Sequence, residues 1–234
     1  MKIHIFHRSQ IIFKDRFEAG KILAEKLIKL HLTANIVLGI PRGGIIIAKK
    51  LAQALGCGID LVLARKLKAP FNPELAIGAV AENGKLFLNE EIAYQSGADK
   101  DYIEREKERQ MAEIRRRVEI YRKVKPKVPL RDKTVVLTDD GVATGATMEA
   151  AIWASRQEHP KKIIVALPVG AGESVERIAK SANEVVCVAV PPFFSAIAQF
   201  YTAFPQVEDE EAIKILKFSS VEHKEAHLTW QERR

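Results

Sequence analysis

Cysteine is scarce in this 234-residue chain: Cys57 and Cys187 stand far apart and outside any CxxC spacing. A disulfide scaffold and a cysteine zinc cluster are thereby excluded, and a reducing compartment, the cytoplasm, is the expectation. Long hydrophobic runs are missing too; none approaches the roughly 20 residues that span a bilayer. The opening MKIHIFHRSQIIFKDR is interrupted in its apolar character and lacks a small-residue cleavage site, so no secretory signal is expected. Internal repeats and low-complexity tracts are absent. Uniform positive charge is lacking as well. The formal net charge is +7, but residues 105–127 hold ten Lys/Arg against four Glu, a surplus of +6 that leaves +1 for the rest. A basic run of this kind is first of all a solvated helix face, and only second a surface for RNA or phosphate. The remainder is ordinary, 47% hydrophobic and 29% charged. A chain of this length can bury about 70–75% of its unfolded surface in one large domain.

Periodicity predicts a helix over 15–32, with Phe17, Ala19, Ile22, Leu23, Leu27 and Leu30 at helical spacing and Asp15 as N-cap. NIVLGI (35–40) reads as a buried strand, PRGG as a turn, and IIIAKKLAQALG as a helix stopped by Gly56 and Gly58. IDLVLARK (59–66) reads as the next strand and LKAPFNPE (67–74) as a loop stiffened by Pro70 and Pro73. LAIGAVAENGKLFLN suggests a hairpin turning at Asn83-Gly84. Residues 99–124 are expected to form a long charged helix whose narrow stripe, Met111, Ile114, Val118 and Tyr121, suits a sheet edge or a partner subunit. Strand TVVLTDD, helix 145–157, strand KIIVALPVG, helix 173–181 and strand EVVCVAV follow. Continuous β-branched strands separated by helices indicate an α/β fold, a doubly wound and mostly parallel sheet covered on both faces. One domain, 1–218, and a polar tail, 219–234, are expected.

Ligands of such sheets bind outside the carboxyl ends of the strands. The common nucleotide fingerprints are missing there. Gly39 and Gly44 have P-loop spacing, but Ile45 and Ile46 replace the Lys and Ser/Thr. GCGIDL and GAGESV offer Leu61 and Val175 where a dinucleotide fold needs its third glycine. No G-x-S-x-G elbow occurs. What is present is TVVLTDDGVATGAT, residues 134–147. Gly141 and Gly145 free the backbone to turn, Ala143 and Ala146 allow close approach, and the amides opening the next helix suit a dianion without a cationic side chain. Val142 completes the turn, and the hydroxyls of Thr144 and Thr147 add donors. Asp139 and Asp140 only accept hydrogen bonds, so they suit a vicinal diol. A ribose 5-phosphate satisfies both halves, and the acids create negative potential where a ribosyl cation would develop. The bland alternative is a strand–turn–helix with Thr144 as N-cap and two solvated aspartates.

VVLTDDGVATGAT resembles the phosphoribosyl pyrophosphate (PRPP) motif of type I phosphoribosyltransferases. IVLGIPRGGIIIAKKLA is similar to the family's pyrophosphate loop, and LARKLKAPFNPELAIGAVAENG resembles a subgroup named only by family and not by reaction. Together these cover about residues 13–217. The resemblance implies a C-terminal hood over the sheet and an activity in which a nitrogenous base attacks PRPP and pyrophosphate leaves, with Mg2+ held through PRPP and possible help from Asp139 and Asp140. It implies that Asp139 and Asp140 contact the ribose hydroxyls, that Gly141–Thr147 hold the 5-phosphate, and that Arg42, Gly43 and Gly44 form the pyrophosphate loop, where relatives often carry a non-proline cis peptide. Lys66 matches a basic position approaching the pyrophosphate. The family's mobile catalytic loop has no long counterpart here, and the basic helix stands as its substitute.

After the last core strand, PPFFSAIAQFYTAF (191–204) falls where the family places its base-binding hood, with Phe193 and Phe194 as stacking candidates. Stacking is worth about 1–3 kcal/mol per base and barely discriminates among bases; packing within the core is the competing role. Trp153 is expected in the core. His223 and His227 have i,i+4 spacing but no zinc-protease glutamate between them. The expectation is a PRPP-dependent transferase acting on a small nitrogenous acceptor, soluble, without membrane or DNA, and homodimeric. The alternative from another class is a non-catalytic PRPP-sensing or RNA-binding regulator that uses the 105–127 segment.

Overall fold

The computed structural model describes residues 2–217, so the polar tail with His223 and His227 lies outside the described residues. Six strands form one parallel sheet: β1 (Lys2–His7), β2 (Ile36–Gly39), β3 (Gly58–Leu61), β7 (Thr134–Thr138), β8 (Lys162–Val169) and β9 (Glu184–Ala189). Their order is β1-β9-β8-β7-β2-β3. The strands are apolar throughout because both faces are covered, and successive residues divide between two cores. Val37, Val136, Ile164 and Val186 face one core with helices α1 (Arg16–Lys29) and α2 (Gly43–Leu55). Ile36, Val135, Ile163 and Val185 face the other with α5 (Ala146–Arg156) and α6 (Gly172–Ser181). The α/β, doubly wound, mostly parallel sheet expected from the sequence is what the chain forms.

Side chains set the helix limits. Asp15 accepts the Glu18 N–H at 2.9 Å and opens α1. Gly56, at φ 62°, closes α2 in the left-handed region that glycine adopts without penalty. Asp99 accepts the Tyr102 N–H at 2.7 Å and starts α4 (Lys100–Tyr121).

The stretch 59–74 departs from expectation. IDLVLARK is not one strand: β3 ends at Leu61, and β4 (Ala64–Ala69) belongs to a separate antiparallel sheet with β5 (Asn72–Ala81) and β6 (Leu86–Leu88). LKAPFNPE is not an open loop either. Its ends lie in β4 and β5, with Ala69 paired to Asn72 across a tight turn whose Phe71 sits at φ 61° and fully exposed. Pro70 therefore sits in a hairpin turn and Pro73 just inside β5, instead of stiffening a loop. The second hairpin, β5–β6, turns through Gly84 at φ 75° as expected. After β6 a short helix, α3 (Glu90–Gln95), leads to α4, which packs on β4 through Met111 and Ile114. Its edge is thus this small sheet of the same chain. A one-turn 3-10 helix (Ile197–Phe200) and helical residues 209–217 complete the hood side.

Candidate functional site

Register builds the site. β2 and β7 are hydrogen-bonded neighbours with Gly39 opposite Thr138, so the segments that follow, Ile40–Gly44 and Asp139–Thr147, emerge side by side. The Pro41–Arg42 peptide is cis, and α2 begins at Gly43. The two segments touch closely enough to forbid side chains between them. A Cβ on Gly43 would stand 2.0 Å from Asp140 Oδ2, and one on Gly44 would stand 2.8 Å from the Thr138 carbonyl oxygen.

Asp139 accepts the Asp140 N–H at 2.9 Å and a second backbone N–H from Gly44. Burial, then the neighbouring Asp140 carboxylate, push its carboxyl well above the ordinary range, against those amides and Arg16. Asp140 is buried and also raised by desolvation, but Arg16 opposes the shift. Arg16 donates from Nε to Asp140 Oδ2 at 2.7 Å and from Nη1 to the Pro205 carbonyl at 2.7 Å, and its guanidinium lies 3.7 Å from the centre of the Phe204 ring. The Tyr201 hydroxyl donates to the Asp140 carbonyl at 2.5 Å. Sequence reading missed both Arg16 and Tyr201. A signal for Arg16 existed: a cation in the first turn of α1 opposes the helix dipole, so it needs a partner elsewhere.

In the Gly141–Thr147 turn the work is divided. The Val142 N–H donates to the Val169 carbonyl at 3.0 Å and its side chain is buried, so Val142 holds the turn to β8. Gly145, at φ 76°, is the N-cap of α5, without a side-chain cap from Thr144. The first-turn N–H groups that follow have no intrahelical acceptor. Thr144 and Thr147 are exposed beside them. Two further residues from α6 brace the turn from behind: the Ser174 hydroxyl donates to the Ala143 carbonyl at 2.5 Å, and Arg177 donates to the Thr144 carbonyl and to Glu149 at 2.9 Å.

Lys66 lies within β4, beside Pro41 and Thr147, in the lining of a chamber of about 260 Å³. Arg42 turns the other way and pairs with Glu208 at 3.2 Å. Among the hood aromatics, Phe200 and Tyr201 are core residues, and Phe193 is 85% exposed. Phe194 packs on Phe200 with ring centres 4.9 Å apart and planes tilted by 43°, and it lines a cleft of about 1150 Å³ beside Ala143 and Thr144. Trp153 is not in the core as expected: it packs on Phe87 at 5.4 Å across α5 and β6 and lines the same cleft, because β6 leaves that face of α5 open. Cys187 is buried and Cys57 half-buried, their thiols pushed up by desolvation to about 12 and about 11.

Among the described residues no group of three or more His, Cys, Asp or Glu side chains forms a metal cage. Arg16 already occupies Asp140, which leaves Asp139 as the acid available to a divalent ion carried in by a polyphosphate, the mode usual for Mg2+. No helix among the described residues is long and apolar enough to cross a membrane.

The phosphoribosyl transferase domain family model matches residues 12–205. Two curated Mycobacterium tuberculosis proteins, provisionally named phosphoribosyl transferases Rv0571c and MT0597, are each 39% identical over 205 residues, 88% of this chain and 46% of theirs. The chain therefore spans about half the length of these relatives. The crystal structure of TT1426 from Thermus thermophilus is 47% identical, with a TM-score of 0.83 over 88% of this chain and 98% of that one. The family match spans most of the chain, residues 12–205, and leads to one assignment: the chain belongs to the phosphoribosyl transferase family.

Proposed function

We propose that the protein is a pentosyltransferase that moves the ribose 5-phosphate of PRPP to a nitrogenous base, with pyrophosphate as leaving group. The observation that carries this reading is the interlocking of Gly43 with the carboxylate of Asp140, which sets a pyrophosphate loop directly against an acid pair and a phosphate turn. In this reading the amides and hydroxyls of Ala143–Thr147 hold the 5-phosphate, with Gly141 and Val142 fixing the turn. Asp139 accepts from the ribose hydroxyls. Asp140, locked by Arg16, supplies fixed negative charge. The bond between the anomeric carbon and the pyrophosphate oxygen breaks, the acceptor nitrogen bonds to that carbon and then loses its proton, and the acids stabilise the ribosyl cation between the two events. Lys66, with the Arg42–Gly44 loop, receives the pyrophosphate. Mg2+ would neutralise pyrophosphate charge, with Asp139 as its nearest protein carboxylate. Phe194 offers the acceptor a ring to stack on, and Phe193 stands at the rim. The reading includes a soluble cytoplasmic homodimer.

The RNA-binding alternative has less free charge to draw on than the sequence suggests: five of the seven cations of α4 pair along the helix, Lys107 with Glu104, Arg109 with Glu106, Arg115 with Glu108, and Arg116 and Arg117 both with Glu113. The experiment is pyrophosphate release from PRPP and Mg2+ across a panel of bases, beside an RNA titration at several salt concentrations. Release with at least one base, and weak RNA binding, are expected. No release with any base, together with tight and steeply salt-dependent RNA binding, reverses the choice.

A further inference from the structure

The chamber beside Pro41 is lined by Arg65, Lys66 and Lys68 from the β4 segment and by Gln110 and Arg117 from α4, with Thr147 at the side facing the phosphate turn. Four of these side chains are cations, and among the described residues no Asp or Glu lines the space. Like charges brought this close repel one another: Arg65 is pulled below its ordinary value first by burial and next by Arg117. The fold nevertheless holds them there. Gln110, buried, accepts from Arg65 Nε at 2.6 Å and donates to Glu106 at 2.8 Å. Glu106 also accepts the Lys68 N–H at 3.2 Å, and Glu113 accepts from Arg117 Nε at 3.2 Å while Arg117 lines the chamber. The space, about 260 Å³, has room for a diphosphate.

We propose that α4 completes the leaving-group site, with Arg117 and the Gln110-held Arg65 forming a fixed cationic wall that binds a diphosphate together with Lys66 and Lys68. This rests on the phosphoribosyl-transfer reading and adds to it a helix outside the sheet. The recognised class is a compact polyanion with two adjacent phosphoryl groups. A single phosphate monoester seated in the turn at α5 would meet the chamber at Thr147, the lining residue that the turn shares with it. The α4 charges thereby gain a role that neither a solvated face nor an RNA surface gives them.

The test is calorimetric titration of the full chain with inorganic pyrophosphate and, separately, with ribose 5-phosphate, both in magnesium buffer. Arg117→Ala keeps good helix propensity and is expected to weaken pyrophosphate binding at least tenfold while ribose 5-phosphate binding stays within twofold. Arg117→Lys should recover part of the loss. Arg105→Ala, exposed on the same helix and outside the chamber lining, should match the parent. If the parent binds both ligands and Arg117→Ala leaves pyrophosphate unchanged, or weakens both ligands equally, the α4 wall is wrong and the transfer reading stands. If the parent binds ribose 5-phosphate but not pyrophosphate, the chamber is no anion site. If it binds neither, both readings fall.

Discussion

At the scale of single residues, Arg16 decides what the acid pair can be. It neutralises Asp140 inside the fold and leaves Asp139 with a raised carboxyl that burial and Asp140 both disfavour as a charge. The two acids are therefore not equivalent, and their variants should separate. Asp139→Asn keeps an acceptor and removes the charge, so a loss of turnover of about 10²–10³-fold is expected, with a much smaller loss of PRPP affinity. Steady-state kinetics beside calorimetric PRPP binding measure the two; equal losses would mean that the acid merely holds ribose. Stability should move the other way. The folded state holds the Asp139 proton more tightly than the unfolded chain, whose carboxyl titrates near ~3.9. Its effect on stability is thus most favourable below that pH and declines as pH rises through the raised folded value. Melting curves from pH 4 to 8 should show that decline shrinking in Asp139→Asn. Arg16→Met, which strands a buried carboxylate, should instead cost about 3–5 kcal/mol near neutral pH in denaturant titrations.

At the scale of elements, the phosphate turn is held by its neighbours more than by itself. Val142 hangs on β8, and Ser174 and Arg177 brace it from α6. Ser174→Ala should cost about 0.5–1.5 kcal/mol of stability. Gly145→Ala, which must adopt a left-handed conformation with its Cβ 3.1 Å from Arg177, should cost about 1–2 kcal/mol. Both should weaken ribose 5-phosphate more than pyrophosphate in the same titrations; the reverse order would remove the turn from the phosphate site. These braces show where sequence reading stops. The turn with Asp139 and Asp140 was legible from the residues of one strand–turn–helix, and the Arg42–Gly44 loop from the family resemblance. Ser174, Arg177, Arg16 and Tyr201 were not, because each reaches the site across a long stretch of sequence through tertiary packing. The break between β3 and β4 was hidden for a related reason. Val62 and Leu63 are as apolar as the strands on either side, so composition carries no mark of the change from one sheet to another.

At the scale of the whole molecule, a site assembled before its ligand arrives converts binding directly into stability. PRPP with Mg2+ at 100 times its dissociation constant should add about 2.7 kcal/mol. For a chain of this size each kcal/mol raises the melting temperature by about 2–4 °C, so a shift of about 5–11 °C is expected in differential scanning fluorimetry. Ribose 5-phosphate should give less, and no shift from either at millimolar concentration would defeat the ribose-phosphate reading. The alternating apolar strands declared the doubly wound core in advance, whereas the attachment of the small sheet and α4 to that core could not be read from periodicity. That attachment runs through the packing of β4 and β5 on α5, and through Arg122 just past the end of α4. It donates to Asp60 at 2.7 Å, to Glu82 at 3.0 Å and to the carbonyl of Leu61, the last residue of β3, at 3.1 Å. The chain thus leaves the core at Leu61 and comes back within one side chain's reach of that exit. Everything between is a closed excursion anchored at its own neck. In the language of engineering it is a cartridge bedded on α5: Arg65, Lys66, Lys68, Gln110 and Arg117 travel in it together, while the Gly141–Thr147 turn stays in the housing. Under the proposed reading, exchange of this cartridge would alter the contacts to the leaving group and keep the turn proposed for the sugar phosphate.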